Sequence, residues 1–198
     1  MKNSSQKVTG ILMAGGMSSR MGREKGTLMI GGRMMYEYPL QALELVCDEI
    51  LISSCTPLPG SLSYPMVCDK ISGIGPMGGI HSCLERSSND LNLVISYDLP
   101  LINAGLLSYL IENSEAWEVV VPAMLDGRLE PLSALYRKSM GDLFGTMIEQ
   151  RKYAVHKAIA QARSLIIDIQ PDMPFYHPNL FLNINRIQDL ESLPKNFR

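Results

Sequence analysis

Four stretches of this chain carry residue types whose spacing suits phosphate and metal chemistry. The first is Ile11 to Lys25, ILMAGGMSSRMGREK. An apolar run from Val8 to Met13 breaks into Ala14-Gly15-Gly16, and small and polar residues then lead to Arg20, Gly22 and Lys25. Bare backbone can turn sharply or come close to a ligand. Its N–H groups form an anion-binding nest while side-chain cations neutralise charge. The competing reading is a basic surface loop. No Gly-Lys-Ser/Thr is present, so this is not a Walker A loop.

The second is Asp98-Leu99-Pro100, which ends the apolar run Leu91 to Tyr97. Ligands of α/β sheets bind at the carboxyl ends of strands. A carboxylate there beside phosphates is a natural Mg²⁺ ligand, because phosphate oxygens and water complete the octahedron. The alternative is an aspartate opening a turn before Pro100. The third is the glycine cluster Gly73 to Gly79, with Asp69 ahead of it. Gly73-Ile74-Gly75-Pro76-Met77-Gly78 formally matches GxGxxG, and Asp98 ends the next strand as a ribose-binding acid would. A small NAD-dependent oxidoreductase is therefore one reading. Pro76 removes an N–H inside the loop, and Lys70-Ile71-Ser72 separates the cluster from any strand. Both count against it. The fourth is Asn183-Ile184-Asn185 with Asp189 following. Asparagines at alternate positions of a strand point the same way. Their amides both donate and accept, which suits a pterin or a phosphate rim, although asparagines also simply end strands. His81, His156 and His177 are not spaced as a metal set.

The elements that must position these residues alternate. Strands are expected at Val8–Met13, around residues 50–52, at 66–68, 91–97, 118–122, 132–136 and 165–169. Helices are expected from the periodicity of residues 35–46, and over 79–86, 104–113, 139–150, 153–163 and 188–193. Asp126-Gly127 is a hairpin signal, so residues 132–136 should run antiparallel to their neighbour. Alternation of this kind argues for right-handed crossovers and a mostly parallel sheet covered on both faces. The expected fold class is a single-domain three-layer α/β/α arrangement over residues 1–198, Rossmann-like, with one antiparallel strand and residues 1–7 frayed.

With 198 residues, 46% hydrophobic and 19% charged, the chain can bury one full α/β core. A net charge of −2 lacks the basic surplus of general nucleic-acid binders. No run approaches the length of a membrane span and no signal peptide is legible, so a cytoplasmic protein is expected. The four cysteines, Cys47, Cys55, Cys68 and Cys83, form no CxxC pair. Buried reduced thiols are expected rather than disulfides or metal ligands. The thirteen methionines read as core filler.

The LxAGGxSxRMGxxK stretch resembles the signature of nucleotidyltransferases that build dinucleotide cofactors and nucleotide sugars. The spacing Arg20-Met21-Gly22-Arg23-Glu24-Lys25 is similar to that of the molybdenum cofactor guanylyltransferases, which usually have Asp where this chain has Glu24. Asp69 with Gly75-Pro76-Met77-Gly78-Gly79 resembles that family's Gly-Pro-Leu-Ala-Gly segment. Asp-Leu-Pro resembles its metal motif, and Asn183-Ile184-Asn185 its Asn-x-Asn ending. The resemblance covers residues 8–192, with the motifs in the family's order. It implies a nucleotidyltransferase-type fold and transfer of GMP from GTP to molybdopterin, with pyrophosphate released and Mg²⁺ required. A cytidylyltransferase on the same cofactor is the near alternative, since Ser53 stands where the family has asparagine. A catalytically silent nucleotide-binding regulator is a third class, against which Lys25 and Asp98 argue.

The implied residues are Lys25, Arg20 and Asp98 for catalysis, with Asp98 holding the metal. Leu12, Ala14, Gly15, Gly16, Gly22, Lys25, Ser53, Asp69, Gly75, Pro76 and Asp98 line the nucleotide. Asn183, Asn185 and either Arg151 or Lys152 contact the acceptor. Gly127-Arg128-Leu129-Glu130-Pro131-Leu132 resembles a segment lining the acceptor half of the cleft, and is read equally well as a hairpin. GTP and molybdopterin or its metal-loaded form are the implied partners, with a pterin-delivering protein as a further one.

Overall fold

A computed structural model describes residues 6–15, 28–59, 63–194 and 197. In chain order the strands are β1 (Val8–Met13), the hairpin pair β2 (Met29–Ile30) and β3 (Arg33–Met34), β4 (Glu49–Ser53), β5 (Met66–Val67), β6 (Leu91–Ser96), β7 (Val119–Ala123), β8 (Ser133–Arg137) and β9 (Ser164–Asp168). The helices are α1 (Glu37–Glu44), α2 (Pro76–Arg86), α3 (Ala104–Glu112), α4 (Met140–Glu149) and α5 (Val155–Ile159). Seven strands make one sheet in the order β5-β4-β1-β6-β8-β7-β9. All pairs are parallel except those of β8, which is antiparallel to both β6 and β7. This is the mostly parallel sheet with one reversed strand that the alternation and the Asp126-Gly127 turn predict.

Every position of β1, β6 and β7 is buried, as strands covered on both faces must be. Alternate side chains go to opposite layers. Leu12, Ile52, Leu93 and Leu135 pack with Leu43 of α1 and with Leu106, Leu107 and Leu110 of α3. Ile11, Met13, Leu51 and Val94 pack with Met77, Ile80 and Leu84 of α2 and with Phe144 and Met147 of α4. The amino edge of the sheet is closed by a polar cluster. Thr9, fully buried, donates to Glu49 Oε2 at 2.6 Å and accepts from Ser87 Oγ at 2.8 Å and Asn89 Nδ2 at 3.0 Å. Burial raises the Glu49 carboxyl, but hydrogen bonds from Thr9 and Ser88 outweigh it and hold that group below the usual range. The carboxyl edge carries the turns that the sequence marks as functional.

Three expectations need correction. Helix α2 begins at Pro76 rather than near Gly79, because proline's fixed φ and missing N–H suit the first helical turn. Residues 182–185 are not a strand, although exposure still alternates: Asn183 and Asn185 are exposed around a buried Ile184. The cysteines are not all reduced thiols. Cys83 is buried and free and Cys47 half-buried and free, but Cys55 and Cys68 form a disulfide with Cα atoms 4.4 Å apart. The parallel register of Ile52 with Met66 and Ser53 with Val67 brings the two cysteines together just beyond the strand ends.

Closing a loop across a sequence separation of 13 contributes about 3 kcal/mol in the chain-entropy account. Reduction is therefore expected to lower the melting temperature by roughly 6–12 °C, at about 2–4 °C per kcal/mol. Melting curves with and without a dithiol reductant measure this. The Cys55→Ser variant is expected to melt at the reduced temperature in both conditions.

Candidate active site

A row of backbone hydrogen bonds crosses the carboxyl edge of the sheet and fixes the order of the site. Ser54 N–H donates to the Val67 carbonyl at 3.0 Å, which joins β4 to β5. Ala14 N–H donates to the Ser53 carbonyl at 3.0 Å, carrying the register of β1 one residue into the glycine turn. Tyr97 N–H reaches the Met13 carbonyl at 3.1 Å, and Ser96 N–H the Leu132 carbonyl at 2.8 Å. Asp69, the first glycine turn, Asp98 and the segment before β8 thus stand in line, on strands about 4.8 Å apart.

Asp98 is only 7% exposed. Its Oδ1 accepts the Ser96 hydroxyl at 2.6 Å, and its carbonyl accepts the Ile184 N–H at 2.9 Å. The first bond orients the carboxylate; the second brings Asn183 and Asn185 to the same strand end. Asn185 N–H donates to Asp189 Oδ2 at 2.7 Å, which fixes the turn. The carboxylate fits Mg²⁺ in its hard oxygen donors and its fixed direction. Among the described residues no three His, Cys, Asp or Glu side chains gather as a metal cage. Mg²⁺ needs none when a triphosphate supplies the remaining oxygens.

At the far end of the row, burial pushes the half-buried Asp69 carboxyl above the usual range. Lys70 N–H bonds Ser82 Oγ of α2 at 3.1 Å, fixing the Asp69 turn against that helix. Gly75 caps α2 with φ 73°, a left-handed conformation that favours glycine, and Pro76 follows exposed. Gly79 lets α2 pack tightly against the ends of β1 and β4. A Cβ there would stand 2.5 Å from Ser53 Oγ, 2.8 Å from Met13 Cε and 3.1 Å from Asp69 Oδ1. Residues 68–75 separate β5 from α2, so the GxGxxG match does not turn directly off a strand.

Not every expected residue opens onto this edge. Leu12 and Ser53 are both 0% exposed, with side chains inside the two core layers. Ser53 Oγ has only the Cys83 thiol as a polar neighbour, and neither side chain opens onto the edge. Ala14 is half-buried and Gly15 exposed. Gly16, Arg20, Gly22 and Lys25 lie outside the described residues. Arg151 and Lys152 follow α4 on one face of the sheet, whereas Asn183 and Asn185 flank Ile184, which packs in the layer of α1 and α3. Both cations are exposed; Arg151 has φ 56°, and Lys152 Nζ donates to Gln150 Oε1 at 2.8 Å. The structure therefore brings the two asparagines to Asp98 but sets the basic pair on the opposite side.

One contributor, Ser96, was not singled out from the sequence; Gly79 and Glu130 were named only as members of the segments Gly75 to Gly79 and Gly127 to Leu132. Ser96 is an isolated hydroxyl in a strand and belongs to no motif. Two residues before Asp98, it lies on the same side of the strand, and that spacing was the available signal. Glu130 lies in the hairpin after β7, and burial pushes its carboxyl above the usual range, with Arg128 opposing and Asp126 adding to the shift. Burial likewise pushes the Cys83 thiol up to about 12, with the Ser53 hydroxyl beside it opposing. A thiol so protonated is a packing group, not a nucleophile.

A doubly covered parallel sheet, a glycine turn off its first strand and an oriented aspartate at the end of a neighbouring strand define the nucleotidyltransferase class. The chain belongs to the MobA-like NTP transferase family, whose domain matches residues 10–165. It is 32% identical over 194 residues to a Carboxydothermus hydrogenoformans protein named "Probable molybdenum cofactor guanylyltransferase", covering 97% of this chain and 98% of that one. A Pyrococcus furiosus protein of the same name is 30% identical over 193 residues, covering 94% and 96%. The molybdopterin-guanine dinucleotide biosynthesis protein A of Archaeoglobus fulgidus shares the fold at a TM-score of 0.77 and 21% identity, over 93% of this chain and 95% of that one. A 2-C-methyl-D-erythritol 4-phosphate cytidylyltransferase of Thermus thermophilus shares it at 0.66 and 16%, over 92% and 95%.

Gly79→Ala is expected to destabilise the protein by about 1–3 kcal/mol, the usual cost of forcing extra volume into a packed contact. The atom nearest the added methyl is the Ser53 hydroxyl, so Ser53→Ala in the same chain should restore part of the loss. Ser53→Ala alone should cost little, since it deletes a buried hydroxyl whose polar neighbour, the Cys83 thiol, is a weak hydrogen-bonding group. Melting temperatures of the three variants check this; no rescue in the double variant would show that the Ser53 contact is not what excludes a side chain.

Proposed function

We propose that this protein transfers GMP from GTP to the terminal phosphate of molybdopterin and releases pyrophosphate. The observation that carries the reading is the line of Asp69, the first glycine turn and Asp98 along one sheet edge, in a chain belonging to this family. An acceptor phosphate oxygen attacks the α-phosphorus; the bond to the bridging oxygen breaks and the pyrophosphate departs. The attacking oxygen is already anionic, so neither a strong base nor a covalent intermediate is needed. The work left to the protein is alignment and charge neutralisation.

Backbone N–H groups of Gly15, Gly16 and Gly22, with Arg20 and Lys25, are assigned to the triphosphate; Ala14 borders it, its own N–H donating to the Ser53 carbonyl. This assignment rests on their spacing in the sequence. Asp69 and backbone carbonyls near Pro76 are assigned to the base, whose N1–H and amine call for acceptors. Leu12 and Ser53 contribute through backbone alone. Asp98, held by Ser96, would bind Mg²⁺, which supplies positive charge at the α-phosphate when bound. Asn183 and Asn185 are assigned to the acceptor; Arg151 and Lys152 would meet it only from the other face. Among the described residues no helix is long and apolar enough to cross a membrane. We assign the reaction to the cytoplasm, where nucleoside triphosphates are at hand, with pterin delivery by a second protein as a further proposal. CTP is the competing donor, because cytidylyltransferases share this fold.

Purified protein with Mg²⁺, molybdopterin and each nucleoside triphosphate in turn, with products identified by mass, tests the reading. The guanine dinucleotide is expected from GTP alone. At about 100 times its dissociation constant a ligand stabilises the fold by ~2.7 kcal/mol, or roughly 5–10 °C here. A melting shift with CTP and none with GTP would overturn the base assignment. Asp98→Asn is expected to lower the rate on the order of 10²–10³, as for loss of one aligned charge contact, with GTP binding partly retained. A variant turning over normally at low Mg²⁺ would remove Asp98 from the reaction.

A further inference from the structure

The carboxyl edge continues past Asp98 to the turn between β7 and β8, and that turn holds an acid whose enclosed oxygen makes no hydrogen bond and has a single cation, Arg128, near it. Glu130 is held firmly by its backbone. Its N–H donates to the Pro122 carbonyl at 2.9 Å, and its carbonyl accepts the Ser133 N–H at 2.9 Å. The buried Tyr136 hydroxyl anchors the next residue by donating to the Pro131 carbonyl at 2.8 Å. The Glu130 side chain is only 19% exposed, and its Oε1 is enclosed without a hydrogen bond. The cation that approaches it, Arg128 Nη2, stands 3.4 Å away and donates to Met124 Sδ at 2.7 Å. Ser133 Oγ, three residues on, is also buried without a partner. Leaving a buried acceptor unmade costs its full desolvation, so one that stands at a ligand-binding edge is a candidate contact for that ligand.

The place of Glu130 says which ligand. The base and triphosphate of the donor are assigned to the span β5-β4-β1, and Asp98 ends β6. An acceptor attacking in line must approach from the side away from the departing pyrophosphate. The next strand on that side is β8, whose approach segment is tied to β6 through the Ser96–Leu132 bond. Two strand spacings, about 10 Å, separate β1 from β8, which is the scale of a pterin carried on a phosphate arm.

We infer that Glu130 selects the acceptor by its 2-amino-4-oxopyrimidine edge, taking the ring N3–H and the exocyclic amine on its two carboxylate oxygens. This rests on the acceptor reading of the preceding subsection. The pairing is charge-assisted, planar and bidentate, and it takes the place of the 3.4 Å approach of the exposed Arg128 side chain at Oε1. Arg128 is then a rim cation whose charge opposes the upward push of burial on the carboxyl. A ring bearing oxygen at position 2 would set a carbonyl against the carboxylate and be refused.

The test compares free pterin with pteridine-2,4-dione as competitors of molybdopterin in guanylyl transfer. Wild-type protein is expected to bind pterin ~10–100-fold better, the range of a hydrogen bond to a charged group made or lost. In Glu130→Gln the preference should fall toward one, while the melting shift produced by GTP stays at the wild-type size. A merely structural Glu130 would lower the melting temperature of Glu130→Gln and leave the preference intact, which would overturn the inference. Wild-type protein that makes the dinucleotide yet does not discriminate the two competitors also overturns it, whether or not the variant folds. Wild-type protein that makes no guanine dinucleotide from GTP and molybdopterin overturns the acceptor reading as well.

Discussion

The site depends on one hydrogen bond, from the Ser96 hydroxyl to the Asp98 carboxylate, at the end of a strand buried on both sides. A carboxylate so little exposed cannot be left to rotate. Its charge must be met by fixed donors or by a cation. Ser96 fixes one oxygen from the same strand, and the Ile184 N–H fixes the backbone from the chain's last loop. The result is a negative group whose direction follows from β6, and β6 lies between β1 and β8 in the sheet. Whatever binds at Asp98 therefore has the first glycine turn on one side and the Glu130 turn on the other.

That order explains why β8 is reversed. A parallel strand beside β6 would arrive at the carboxyl edge at its end, and a helix connection would have to follow there. An antiparallel β8 begins at that edge instead, so the hairpin from β7 delivers Gly127 to Leu132 beside Asp98. The reversed strand brings the Glu130 turn to the edge on which β1 ends in its glycine turn.

Much of this was legible in the sequence, because the strongest signals were periodic or obligatory. Val8–Met13 and the run to Ser96 could only be buried strands, and Asp126-Gly127 could only turn the chain. Asp98 was recognisable because a charge ending an apolar run must meet solvent or a ligand. What was not legible depended on register and on side-chain parity. Nothing in the spacing of Cys55 and Cys68 shows that they meet until β4 and β5 are aligned. Ser53 reads as a ligand contact by position, but strand parity turns its hydroxyl under α2, where Gly79 leaves room for it and for little else. Asn183 and Asn185 point alike without the strand that seemed to require it, since a tether to Asp98 and a turn held by Asp189 give the same alternation. Glu130 stood in a segment that read equally as acceptor wall and as hairpin, because its enclosed oxygen appears only when its surroundings are packed.

The central claim is that the Asp98 carboxylate holds the metal that joins donor and acceptor. Electron paramagnetic resonance with Mn²⁺ in place of Mg²⁺ tests it most directly. Wild-type protein with GTP is predicted to bind one Mn²⁺ more tightly than GTP binds it alone, with phosphorus hyperfine coupling from the triphosphate. Asp98→Asn should lose that added affinity while the GTP-dependent melting shift survives in part. Equal Mn²⁺ affinity and an unchanged spectrum in Asp98→Asn would contradict the account, since the metal would then be held without the residue on which the site is built.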